Sequence, residues 1–431
     1  MNKFPTVILI LSCFIFSNCK KKDKVYFPSI SISSPQENTI YQIHDTVFIS
    51  AMISSEDGLV NGRVSIVDEN FVSVSNLLSF NLNGSSFQLN ASIKISNESL
   101  ETGDYFVSVL VNGNSEHSNA YRKILIQGIP KVREGLIAVT GDGTSYQTWQ
   151  LNNNGTQTSI SNYSDEFCCL DVNSRFDLLY TSPRSTGSLK ALRSSDFSQV
   201  WEIPAFGAGG LDYFTAINYD SDLLFVSYQD RTIKGFDSQG AQKYLTQTSD
   251  NTFPTITRVF DNYILTAQHD VSGPAKKLVV FLLSSGIGWQ SVDIDIDMLD
   301  FFQGSAQVYY TAGNVNGDAK IYEYNFGTNV LHLQRTLSAD SIRDVIEIET
   351  ARFLIATQTT IYIYDAVNDQ LGVWLANNSV NFLDYDEVND QVIIGSGNTV
   401  QIMPFSSPGT VVLSYNFADP VLQAKAIFNK E

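Results

Sequence analysis

Few residues in this chain have the type and spacing for chemistry. Cys168 and Cys169 are adjacent. Neighbouring thiols can close a small strained ring in an oxidising compartment, although neighbouring side chains on a strand point to opposite faces. In a buried strand the same two residues serve as small apolar groups. Asp293, Asp295 and Asp297 stand two apart. On one extended strand they share a face and offer oxygen ligands for Ca²⁺, but no glycine-containing Ca²⁺ loop surrounds them. The four histidines, His44, His117, His269 and His332, are too widely spaced for a local metal pair. There is no G-x-S-x-G elbow, no phosphate-binding glycine loop and no H-E-x-x-H. No catalytic residue and no cofactor are therefore expected, metal ligands stay unknown, and Ca²⁺ is the one ion the acidic run allows. Any site must be assembled from distant segments.

The composition says what those segments are. Hydrophobic residues make up 43 % of the 431 and charged residues only 17 %. Val, Ile, Tyr, Phe, Thr and Ser dominate, which favours strands over helices. The net charge of −18 repels phosphate backbones, so no nucleic-acid partner is expected.

A four-run unit recurs between residues 132 and 431. Its second run reads "GLIAVTG" at 135, "DLLYTS" at 177, "DLLFVSY" at 222, "NYILTAQ" at 262, "AQVYYTAG" at 306, "RFLIATQ" at 352 and "DQVIIGSG" at 390. The first run of the unit, "CCLDV" at 168 and its successors, returns roughly every 43 residues. No such run precedes "GLIAVTG", and the missing copy stands at the C-terminus as "AKAIFNK". Four short strands at this period predict the blades of a β-propeller. Seven copies predict seven blades, with residues 421–429 completing the first. Closure removes the exposed sheet edges an open ring would leave. Residues 28–128 carry six or seven short alternating runs between turn signals, which predicts a separate β-sandwich. The expected fold is all-β, a sandwich followed by a propeller.

The N-terminus "MNKFPTVILILSCFIFSNCKKKDK" has one cation and a short apolar run ending before Cys19. The run is too short to span a bilayer and has the proportions of an export signal. It resembles the signal of bacterial lipoproteins, with a Lys-rich tether like those of Bacteroidetes. That resemblance implies cleavage after residue 18, lipidation of Cys19 and a tether over 19–27, hence a lipid-anchored, outer-membrane location facing either side. The outline "SISSP…Y…DTVFISAMISSEDGLV" resembles the Ig-like modules at the base of exported Bacteroidetes proteins, which implies a spacer. Trp201, Trp289 and Trp374, at matching positions of the fourth runs, resemble the quinoprotein-like propeller repeat, in which a tryptophan packs between blades. Some quinoprotein dehydrogenases of this fold place a vicinal cysteine ring beside their cofactor. Asp45-Thr46-Val47 and Asp340-Ser341-Ile342 resemble the Bacteroidetes O-glycosylation motif, implying modification at Thr46 and Ser341.

Propeller ligands usually meet the loops that enter the inner strands. Those loops and their partners place Arg184, Phe206, Asp212, Tyr213, Phe253, His269 and Asp297 around one mouth. The long Gly-rich loop at 204–212 favours that face. The expected function is a non-enzymatic ligand- or protein-binding module, accessory to an outer-membrane uptake system. The alternatives are a quinoprotein-like or Ca²⁺-dependent enzyme and a scaffold with no small ligand.

Overall fold

The structure is a computed structural model that describes residues 25–206, 212–220, 222–248, 251–338 and 340–430. It is all-β, with no α-helix among the described residues. The chain divides into two compact units, residues 1–130 and 131–431.

The first unit holds two sheets over one core. One sheet orders the strands Ser29–Ser34, Thr46–Ser54 and Ser86–Lys94. The other has five strands, with Gly103–Gly113 between His117–Gln127 and Leu59–Val67. The alternation in "TVFISAMIS" sets the faces. Val47, Ile49, Ala51 and Ile53 are buried among Val64, Ile66, Val107 and Ile124, while Phe48 and Met52 point out.

The second unit contains seven four-stranded antiparallel sheets among the described residues, consistent with propeller blades. Six run consecutively along the chain. The remaining one orders Gln157–Tyr163, Tyr146–Leu151, Arg133–Gly141 and Val421–Phe428, so the last strand of the chain completes the first sheet. Ala424 lies opposite Ala138 in that pairing. The displaced copy of the first run therefore sits where the repeat predicted.

The second strand of each sheet reads as a continuous apolar run because sheets cover it on both faces. Leu178–Pro183 is buried at every position. Outermost strands such as Gln199–Pro204 instead leave residues exposed. Trp201 packs against Phe236 of the following sheet and donates to the Ser238 carbonyl at 3.1 Å. Trp374 stacks on Phe405 and donates to its carbonyl at 3.0 Å. Trp289 meets Phe326 edge-on but stays half exposed.

Candidate functional site

The innermost strands of six of the seven sheets share one irregularity near their start, while Phe382–Asp386 pairs with the second strand of its sheet in unbroken register. Register with the second strand slips between Phe167 and Cys169, Phe214 and Ala216, Pro254 and Ile256, Met298 and Asp300, and Ile342 and Asp344. The closing strand slips between Val421 and Gln423. Each slip is a β-bulge that leaves one residue unopposed and re-aims its side chain. The unopposed residues are Cys168, Thr215, Thr255, Leu299, Arg343 and Leu422.

Four of them, Cys168, Thr215, Thr255 and Leu299, line a cavity of about 480 Å³ together with Asn218 and Gln423. The bulges also tie neighbouring inner strands together. Thr215 Oγ1 donates to the Pro254 carbonyl at 2.6 Å, and Cys168 Sγ lies 3.4 Å from the Phe214 carbonyl. Asn218 Oδ1 is buried in this lining without a hydrogen-bond partner in the protein.

A belt of ions closes the cavity. Arg258 grips Asp300 with both prongs, Nε to Oδ1 and Nη2 to Oδ2, each at 2.6 Å. Lys425 stands 3.8 Å from Asp384. Asp171 accepts from the Tyr219 N–H, Asp344 from Leu383 N–H and Asp384 from Ala426 N–H, so each carboxylate clasps the next inner strand. A second cavity of about 470 Å³ lies beyond the belt, lined by Asp300, Glu347, Asp384 and Lys425. Lys425 lines both cavities, whereas Arg258 faces only the first and Asp300 only the second.

Four carboxylates against two cations leave the belt acidic, and burial answers by favouring protons. Burial pushes Asp344 up to about 7 against the pull of its two backbone donors. Burial also raises Asp384. The Asp384 charge, opposed by burial, holds Lys425 above the usual lysine range. For Arg258, burial works against the charge and the Asp300 carboxylate outweighs it.

The residues expected at the mouth fall into two groups. In the first, Arg184 reaches Glu166 at 3.3 Å and Asp212 at 3.2 Å. Beside it Phe206, 76 % exposed, sits edge-on to Tyr213, which packs on Phe214 and Tyr228. Residues 207–211 of the Gly-rich loop lie outside the described residues. In the second group Phe253 packs on His269, and His269 Nε2 is 3.7 Å from Asp297. Lys276 forms a closer ion pair with Asp297. Burial lowers the His269 pKa despite that carboxylate.

Three expectations are corrected. His269 lies within the strand Tyr263–Asp270, not in a loop. Asp293 and Asp297 belong to different strands of different sheets, because the chain leaves one sheet at Ile294 and enters the next at Asp297. The acidic triplet thus has no common strand face. Cys168 and Cys169 do not point apart: the bulge brings their sulfurs to 2.7 Å. Thr46 and Ser341 are both partly exposed, and Ser341 donates to the Gly317 carbonyl. Cys19 lies outside the described residues.

The belt was overlooked in the sequence although its signal is there. "CCLDV", "LDFF", "RDVIEI" and "NFLDYD" each carry an aspartate within the inner run, at Asp171, Asp300, Asp344 and Asp384, the last run with a second at Asp386. A polar residue recurring inside an otherwise apolar run is the mark of a shared role.

No family model and no curated protein matches the chain. Among solved structures it is similar to a quinoprotein alcohol dehydrogenase-like protein from Bacteroides thetaiotaomicron, with 11 % identity and a TM-score of 0.48 over 93 % of this chain and 99 % of that one. It is also similar to Sqt1 from Saccharomyces cerevisiae, with 12 % identity and a TM-score of 0.48 over 67 % and 84 %. Hydrazine synthase from Kuenenia stuttgartiensis shows 11 % identity and a TM-score of 0.49 over 66 % and 95 %. At these values the likenesses carry no argument about what this chain does.

Proposed function

We propose that this chain is an envelope lipoprotein whose second unit, a seven-bladed propeller, binds a small polar ligand at the bulged end of its channel without transforming it. In this reading Cys19 carries the lipid, and residues 28–128 form an Ig-like spacer. Lipid chains contribute roughly 0.8 kcal/mol per buried methylene, so more than one is needed for stable anchoring.

The observation that carries the binding reading is Asn218. Its Oδ1 is buried in the wall of the 480 Å³ cavity and has no partner in the protein. An unsatisfied buried acceptor costs about 1–3 kcal/mol. Turned into the cavity, that oxygen would accept from a ligand hydroxyl or ammonium. Thr215, Thr255 and Gln423 add polar contacts around it, and Arg258 and Lys425 set a charged floor. The exposed ring of Phe206 lies with the first of the two mouth groups.

The full chain would be screened by thermal shift against sugars, polyols, amino acids and amines, with Asn218→Ala in parallel. A hit weakened about tenfold by the substitution supports the reading, since one hydrogen bond contributes about 1 kcal/mol or more. Hits indifferent to Asn218→Ala, or no hit at all, would overturn it. The accessory role is tested separately by mild crosslinking of cells. One outer-membrane transporter recovered in near-equal amount supports that role, and the lipoprotein recovered alone counts against it. Intact mass reports whether Thr46 and Ser341 are glycosylated. The enzyme alternative gains nothing from ligand grouping: among the described residues no three of His, Cys, Asp or Glu are gathered as for a metal ion.

A further inference from the structure

Cys168 is the bulged residue of its strand. The slip between Phe167 and Cys169 breaks the alternation that sends neighbouring side chains to opposite faces. Both sulfurs therefore reach the same cavity wall, 2.7 Å apart, and both cysteines are free. The same bulge in the next two inner strands presents Thr215 and Thr255, so the thiols are particular to one sheet.

We propose that Cys168 and Cys169 form a two-sulfur site for a soft, closed-shell monovalent metal ion of the Cu(I) class. Thiolates select such ions over hard ones. Zn²⁺ takes four ligands in structural sites and three protein ligands in catalytic ones, and no group of three candidate ligands exists among the described residues. Two sulfurs alone satisfy an ion content with two-fold coordination. Binding exchanges protons for metal: two thiols and one M⁺ give a dithiolate complex of charge −1 and release two H⁺. The ion must push the sulfurs beyond 2.7 Å, and the open cavity beside them gives that room.

Electrostatics suit an anionic complex. The Arg184 guanidinium acts on Cys168 in favour of negative charge, against Asp212, and Arg258 and Lys425 line the same cavity. Ligation by thiolates releases the thiol protons, so affinity rises with pH.

The test uses the full chain, reduced and kept anaerobic, with Cu(I) delivered in competition with a chromophoric chelator. Cys13 and Cys19, processed or not, are the same in both samples, so the site is read as the difference between wild type and Cys168→Ser/Cys169→Ser. The expected result is one Cu(I) per chain lost in the double variant and at least a hundredfold loss of affinity in each single variant. Wild-type affinity should climb by up to a hundredfold per pH unit as two protons are released. A Zn²⁺ titration should show no such difference. Copper X-ray absorption of the loaded wild type gives a readout that needs no variant, and sulfur-only scattering is expected. Equal Cu(I) binding in the double variant overturns the site. So does nitrogen or oxygen scattering alone, or a chain that takes no ion and is isolated 2 Da lighter as the disulfide.

Discussion

Arg258 and Asp300 are joined by two parallel 2.6 Å hydrogen bonds between the inner strands of adjacent sheets. The geometry is the fork-on-fork match of guanidinium and carboxylate, the strongest ordinary ion pair. It also lies between two cavities, with Arg258 facing the first and Asp300 the second. Removing one partner strands the other in a mostly enclosed place. Arg258→Met or Asp300→Leu alone should cost roughly 2–3 kcal/mol, on the low side for a buried pair because the side chains keep 31 % and 15 % exposure. The double variant should recover more than half of that loss. Chemical denaturation of all three checks it, and additive losses would show that the pair is not coupled.

Asp344 gives a pH signature. Its folded pKa stands near 7, raised by burial from an unfolded value of 3.8. The folded chain therefore holds a proton that the unfolded chain has lost between about pH 4 and 7, and this residue's contribution to stability falls as pH rises through that window. The penalty is absent below pH 4 and complete above 7, with a ceiling on the order of 4 kcal/mol. Asp344→Asn should lose that slope, gaining stability relative to wild type at pH 8 compared with pH 4. Unfolding curves of both chains across this range decide the matter. A pH-independent difference would mean that Asp344 is ionised throughout.

The closing strand makes the whole second unit depend on the C-terminus. Val421–Phe428 pairs along Arg133–Gly141, and Lys425 faces Asp384 in the belt. Ending the chain at residue 420 should abolish cooperative melting of residues 131–420 while leaving a transition from the first unit. A calorimetric trace with two normal transitions would refute ring closure by this strand.

Gly240 sits at φ +78°, and a Cβ there would lie 2.8 Å from Trp201 Cγ. Side chains resist that backbone region, and the indole packed against the next sheet has little room to yield. Gly240→Ala should cost about 1–3 kcal/mol, read as a lower denaturant midpoint with reduced Trp201 burial by fluorescence. An unchanged midpoint would show that the indole moves freely.

Much of this protein could be read from residue order alone. The fourfold run repeated roughly every 43 residues fixes the strand order within a sheet, because antiparallel neighbours joined by short turns must pair in sequence. The missing first run and its late copy announce the closing strand. Burial of Val47, Ile49, Ala51 and Ile53 follows from alternation with no further information.

What residue order could not supply was convergence at the two cavities. Asp171, Arg258, Asp300, Asp344, Asp384 and Lys425 are spread over more than two hundred residues and meet only because the inner strands of successive sheets pack side by side. The thiol pair shows the limit most sharply. Strand alternation predicts that Cys168 and Cys169 point apart, and one unopposed residue reverses this. A bulge is a property of how two strands register against each other. It is settled by the sheets packed on either side, not by the residues that carry it.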